Sequence, residues 1–319
     1  DDFERGAFAS CRAASGGAAR LVIRPEAGAT NDSAWYAFRV RAREGEVVKV
    51  DLAYEGGTHR YWPKTSVDGR AWTRMPASDV RAAKDGAGAA IKVRMRGPEM
   101  FVAAQPLETL HDAIARVDAP LRAKGFAYRQ LGESADGRPL HAYESIPPDA
   151  RRLVVLLARQ HPPETTGASA FEAFLARVIE DDAAAREFRL RHAILVVPMV
   201  NPDGFVRGHW RGNAEGVDVN RDWGPFGTPE ASAVSSRILE LAKAYAPAFF
   251  ADFHSTKRDM IYAAPEGLPE GRLADAFLAH YYQIHSGERG VRALNLALVE
   301  SQRTVKRAVI DFHSPETPL

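Results

Sequence analysis

Four segments of this 319-residue chain gather residue types that do chemistry, and each follows a run that reads as a buried strand. After the run 153–158 comes Arg159-Gln160-His161-Pro162-Pro163-Glu164. The run 193–198 leads into Asn201-Pro202-Asp203-Gly204, then His209-Trp210-Arg211 and Asp218-Val219-Asn220-Arg221. A third run, 248–253, ends in Asp252-Phe253-His254-Ser255-Thr256, and a fourth, 293–299, ends at Glu300. Open α/β sheets bind ligands outside the carboxyl ends of their strands, so these groups are expected to meet at one edge.

Two neutral imidazoles and one carboxylate, with a fourth position left to water, make a catalytic zinc site. His161 and Glu164, three residues apart in a turn, are positioned to grip one ion, and His254 completes the set from a neighbouring strand. Zinc acidifies water, but peptide hydrolysis also needs a group that shuttles the proton, and Glu300 is the candidate. A cation beside the metal stabilises an oxyanion, a role expected of Arg211. Arg221 offers a planar bidentate donor for a substrate carboxylate, with the Asn220 amide in support. Asp218 is expected to accept the second ring N–H of a ligand histidine and hold its tautomer.

The elements that must position these groups fall into two blocks. Residues 1–103 read as an antiparallel β-sandwich: short β-branched and aromatic runs at 21–23, 34–40, 47–52 and 91–95, separated by turn residues. Its aromatic residues Tyr54, Tyr61, Trp62 and Trp72 are expected to be half-buried core. Residues 104–319 read as the catalytic α/β domain. Leu107, Leu110, Ile114 and Val117 lie on one helical face, and helices are expected over 168–181, 229–245 and 271–283. Strands without polar alternation, set between helices, imply a sheet covered on both faces.

Composition narrows the function. Forty-two Lys plus Arg balance forty-one Asp plus Glu, a net charge of +1, so no basic excess favours nucleic acid. No apolar run reaches the roughly 18 residues of a membrane span. Cys11 is the single cysteine, which excludes an intrachain disulfide and a cysteine-rich zinc site. The chain begins at Asp1 without a methionine, as expected either where a leader has been removed or where the sequence is a trimmed piece, and one cysteine fits a cytoplasmic and a periplasmic location equally well. The preference for Arg over Lys and the abundance of Ala hint at a GC-rich bacterial source.

Taken together, His-Pro-Pro-Glu, Asn-Pro-Asp-Gly-Phe, Trp-Arg, Asp-Val-Asn-Arg and Asp-Phe-His resemble, in order and context, the zinc metallocarboxypeptidases. The short loop between Asn-Pro-Asp-Gly and Asn-Arg is similar to that of the cytosolic carboxypeptidase-like branch, as are Phe3-Glu4-Arg5-Gly6, the run 35–40 and Asp136-Gly137-Arg138-Pro139-Leu140. The resemblance implies a mixed-sheet α/β/α domain behind a β-sandwich. It implies one zinc ion on His161, Glu164 and His254, with Glu300 as general base and acid. Arg211 would stabilise the oxyanion, Asn220 and Arg221 would hold the terminal carboxylate, and Asp218 would support a ligand histidine. The substrate is then a peptide or protein C-terminus, with a lean toward acidic last residues. Lys257, Arg258, Arg289 and Arg292 are the candidate pocket cations, and the N-terminal domain is a candidate docking module for a partner protein.

The chain departs from the family at Pro163, where Gly is usual, and in the step of 46 from His254 to Glu300, shorter than expected. No residue matches the family's substrate-capping tyrosine; Tyr281 and Tyr282 fall in a helical pattern. Two other functions are compatible with the motifs: a zinc-dependent N-acyl amino acid deacylase, and a non-catalytic protein that binds peptide C-termini.

Overall fold

The structure, a computed structural model, describes residues 3–28, 35–256, 260–262, 297–301 and 305–313. The first strands are β1 (Ser10–Ala13), β2 (Ala19–Ile23), β3 (Ala37–Arg41), β4 (Val47–Tyr54) and β5 (Lys64–Ser66). They continue with β6 (Thr73–Arg74), β7 (Val80–Ala82), β8 (Gly88–Arg94) and β9 (Glu99–Ala103). These nine form two sheets, β1-β2-β4-β8-β7 and β3-β9-β5-β6. Alternation along β8 buries Ala89, Ile91 and Val93 on one face, and they share a core with Phe38, Val40, Met100 and Val102 of the other sheet. The two sheets therefore face each other as a sandwich. Tyr61 lies in that core, with Tyr54, Trp62 and Trp72 partly buried against it, as expected. One pair departs from the antiparallel expectation: β2 and β4 run parallel.

The second block begins with α1 (Leu110–Ala123), β10 (Ala127–Glu133), β11 (Pro139–Ser145), β12 (Arg152–Ala158) and α2 (Thr165–Val178). Then come α3 (Ala183–Arg191), β13 (His192–Val197), α4 (Pro202–Arg207), α5 (Pro229–Ala242) and β14 (Ala246–Thr256). The last described pieces are β15 (Met260–Tyr262), β16 (Ala297–Ser301) and β17 (Val305–His313). All eight strands join one mixed sheet, β10-β11-β13-β12-β14-β17-β15, with β16 also paired to β17. Pairs β12/β13, β12/β14 and β14/β17 are parallel, whereas β11/β13 is antiparallel.

The apolar runs of β12 and β13 lack polar alternation because both faces are covered. Val154, Leu156, Ile194 and Val196 pack under Val117 and Leu121 of α1 and Phe171 and Leu175 of α2. Their neighbours Leu153, Val155, Leu157, Leu195 and Val197 pack on Val234, Ile238 and Leu241 of α5. The result is the expected α/β/α layering. The expected helix 271–283 and residues 293–296 of the expected fourth strand lie outside the described residues. Among the described residues no helix is long and apolar enough to cross a membrane.

Candidate active site

Parallel pairing of β12 with β14 places Ala158 opposite Phe253, so the turn after β12 and the end of β14 share one edge. His161 stands on that turn and His254 on that strand end. Glu164 is the N-cap of α2, and its carboxylate also accepts the Ser255 N–H at 3.0 Å. Gly167, in the first turn of α2, has no alternative there: a Cβ would sit 2.4 Å from the His254 carbonyl oxygen. The helix thus presses its glycine against the strand carrying the second histidine, and Glu164 is held between both imidazoles.

The three side chains are buried and converge. His161 Nδ1 lies 2.8 Å from Glu164 Oε1, His254 Nδ1 lies 2.9 Å from Glu164 Oε2, and the two Nδ1 atoms are 3.1 Å apart. Donors 2.0–2.1 Å from a tetrahedral zinc ion stand about 3.3 Å apart, so these spacings match a zinc set within a few tenths of an ångström. The outer nitrogens face carboxylates: His161 Nε2 is 3.1 Å from Asp218 Oδ1, and His254 Nε2 is 2.9 Å from Asp252 Oδ2. A proton held on His161 Nε2 by Asp218 leaves its Nδ1 lone pair turned inward, the tautomer a metal requires, and Asp252 sets a carboxylate beside Nε2 of His254. The residues therefore fit zinc.

Electrostatics agree with a site built for a cation. Burial pushes the Glu164 carboxyl up, but the His161 and His254 rings outweigh it and hold the group well below the usual carboxylate range. For His254 burial works against the charged ring, while Asp252 and then Glu164 raise it, to about 10. Burial likewise opposes ionisation of Asp218, yet hydrogen bonds from His161 and Arg211 pull its carboxyl far down.

Arg211 donates from Nε to Asp218 Oδ2, so the guanidinium reaches the metal cluster through one carboxylate. Asp218 also caps the short helical turn 219–221 by accepting the Asn220 N–H at 2.9 Å. Arg221, on that turn, is exposed, and its Nη1 donates to the Asn220 carbonyl at 3.4 Å. The Asn-Pro-Asp-Gly segment serves as scaffold. Asn201 Nδ2 donates to the carbonyls of Gln160 and Gly212, both at 3.1 Å, tying the metal turn to the Arg211 loop. Buried Asp203 accepts from Ser134 Oγ, the Asp136 N–H and Arg138 Nη1, which accounts for the Asp-Gly-Arg turn before the first catalytic strand.

Of the expected residues, His161, Glu164, His254, Asp218 and Arg211 come together, with Asn220 and Arg221 on the adjoining turn. Glu300 is not brought to them. It pairs with Lys306, five positions before Asp311, the partner of His254, and β16 runs antiparallel to β17. At about 3.3 Å per residue that register sets its backbone about 17 Å along the sheet from the ligand level. The side chain of Glu300 lies outside the described residues, as do Lys257, Arg258, Tyr281, Tyr282, Arg289 and Arg292. Asp252 was missed by sequence reasoning, although a strand places residues two apart on one face, so Asp252 and His254 had to share a side. Gln160 was missed as well; it donates to Asp252 and accepts from Trp223 Nε1 at 2.7 Å.

Comparison with known proteins gives the same picture. Residues 124–263 match the family model described as zinc carboxypeptidase, and residues 1–99 match the cytosolic carboxypeptidase N-terminal domain. An uncharacterised protein of Zymomonas mobilis is 33% identical over 199 residues, covering 59% of this chain and 50% of the relative. Cytosolic carboxypeptidase 2 of Danio rerio is 27% identical over 242 residues, covering 64% of this chain and 33% of the relative. The chain thus spans half or less of the length of these relatives. Among solved structures, a metallo-carboxypeptidase from Burkholderia cenocepacia superposes with a TM-score of 0.75 at 23% identity, covering 98% of this chain and 89% of that one. The Pseudomonas aeruginosa metallo-carboxypeptidase, solved with (2-guanidinoethylmercapto)succinic acid, gives 0.73 at 22%, covering 97% and 88%. At such identities the likeness is one of fold. The His161-Glu164-His254 cluster lies inside the segment that matches the zinc carboxypeptidase model, behind the segment that matches the N-terminal domain of cytosolic carboxypeptidases.

Proposed function

We propose that the protein is a zinc-dependent carboxypeptidase that removes the last residue of a peptide or protein. The observation that carries the reading is the convergence of His161, Glu164 and His254 on one point, each histidine backed by its own carboxylate. When bound, zinc supplies a Lewis acid that acidifies water and polarises the scissile carbonyl. Arg211, fixed against Asp218, sets a positive charge where the oxyanion develops. Arg221 and Asn220 take the terminal carboxylate and orient the chain end, which makes the enzyme an exopeptidase. Glu300 enters as proton shuttle only through the resemblance, and the register that sets its backbone about 17 Å from the cluster weighs against that role. A preference for acidic last residues likewise rests on the resemblance.

The test is mass spectrometry of a mixed peptide pool, spiked with N-acyl amino acids, incubated with zinc-loaded protein. Single-residue loss from free C-termini is expected, absent on C-terminally amidated peptides, and the released residue gives the preference. Arg221→Ala should mainly raise KM, since it loses an interaction present throughout the reaction. Glu300→Gln should keep zinc and lose turnover; surviving turnover reassigns the shuttle. Zinc-replete protein that cuts amidated peptides equally, or only acyl amino acids, overturns the proposal.

A further inference from the structure

The loop that carries Arg211 is held by the N-terminal domain. Glu26, just beyond β2, turns its carboxylate onto three consecutive backbone N–H groups: Trp210 at 2.6 Å, Arg211 at 2.7 Å, and Gly212. Successive amides pointing at one acceptor make an anion nest, and here the anion is a side chain of the other domain. Two further contacts lock the same junction. The Trp210 ring is buried in the sandwich core and its Nε1 donates to the Trp35 carbonyl at 3.0 Å. Gly216, at φ +78°, meets the N-terminal segment backbone to backbone, and a Cβ there would lie 2.1 Å from the Ala27 oxygen.

These contacts fix where the Arg211 backbone sits, and that in turn fixes what its guanidinium reaches. From Glu26 the connection runs through the Arg211 amide to the Arg211 side chain, on to Asp218, and from Asp218 to His161 Nε2. An oxyanion donor is effective only when it is preorganised, because a charge that must first be moved into place gives back part of what it stabilises. Loop positions without such an anchor are the mobile parts of a protein.

We propose that Glu26 is a positioning residue for Arg211, so that the N-terminal domain completes the catalytic site. The proposal rests on the oxyanion role of Arg211 stated above. Trp210 anchors the loop separately, so Glu26→Gln removes the carboxylate and sets an amide donor against amide donors while the domains stay docked.

The experiment is a double-mutant cycle of full-length, zinc-loaded protein: wild type, Glu26→Gln, Arg211→Ala and the pair, with kcat, KM and bound zinc measured for each. Backbone hydrogen exchange is followed at Trp210, Arg211 and Gly212. Glu26→Gln is expected to lower kcat about tenfold to a hundredfold, with KM within about twofold and zinc retained. In the Arg211→Ala background the same change should cost less than about twofold. Exchange at the three amides should accelerate at least tenfold, while amides of β12 and β13 stay protected. Full additivity of the two substitutions, or unchanged kcat in Glu26→Gln, overturns the proposal. Unchanged kcat in Arg211→Ala alone overturns instead the oxyanion reading, whatever Glu26 does. If Glu26→Gln does not fold, wild-type exchange still decides: the three amides lie outside helix and strand, and exchange at open-loop rates refutes the nest.

Discussion

Asp218→Asn should weaken zinc binding because Asp218 serves three donors at once. Its Oδ1 lies 3.1 Å from His161 Nε2 and 2.9 Å from the Asn220 N, while Oδ2 accepts from Arg211 Nε. An asparagine is nearly isosteric, but it has one acceptor and one donor where the site needs two acceptors. With its oxygen toward His161, its NH2 faces the Arg211 N–H. With the amide flipped, the NH2 faces His161 and favours the tautomer protonated on Nδ1, the nitrogen that must stay bare for a metal. Either way one charge-assisted hydrogen bond is lost, worth about 1.5–3 kcal/mol. That is about a 10- to 150-fold rise in the zinc Kd, in the range found for partners of metal-bound histidines. Competition with a chromophoric chelator at neutral pH measures the Kd, with His161→Ala as the reference for a lost ligand. Peptide turnover at saturating zinc then isolates the loss through Arg211, expected at tenfold or more. A zinc Kd and a kcat both within twofold of wild type would refute the chain of contacts from Arg211 to His161.

Three further outcomes are expected. Gly167→Ala puts a methyl 2.4 Å from the His254 carbonyl, so it should cost about 1–3 kcal/mol of stability and lower zinc content together, read by urea unfolding and metal analysis; unchanged values of both would refute the close packing of α2 on β14. Zinc binds the folded state alone, so at a thousand times its Kd it should add about 4 kcal/mol, and a chelator should lower Tm correspondingly; a Tm indifferent to zinc would refute a formed site. Burial pushes the His59 ring down to about 4 while its Nδ1 bonds the Tyr54 hydroxyl at 3.0 Å. Its folded value lies below the unfolded one, so the unfolded chain binds the extra proton: the contribution is complete above pH 6.5 and is lost as pH falls toward 4. That loss, about 3 kcal/mol, should vanish from the Tm profile of His59→Gln, and parallel profiles for the two proteins would refute it.

The sequence determined the elements whose signals are local. Runs 153–158 and 193–198 are apolar at every position because both sheet faces are covered, so they read as buried strands. His161 and Glu164 lie three residues apart on one turn, and their shared grip is visible in that spacing. Signals weakened where burial is shallow: β10, an edge strand with no buried residue, and α3, which buries Ala185 alone, carry little periodicity and went unread. The parallel pair β2/β4 and the register of Glu300 opposite Lys306 depend on strand partners that no single segment specifies.

Tertiary structure decided the rest. His254 stands 93 residues from His161 and reaches it because β12 and β14 pair in parallel. Asp252 becomes its partner because a strand turns alternate residues to the same side. Glu26 meets Arg211 across 185 positions, where it holds three backbone amides that carry no residue-specific signature. Hydrogen bonds to main chain leave no trace in residue types, which is why the candidate ligands were legible in the sequence and the support that holds them in place was not.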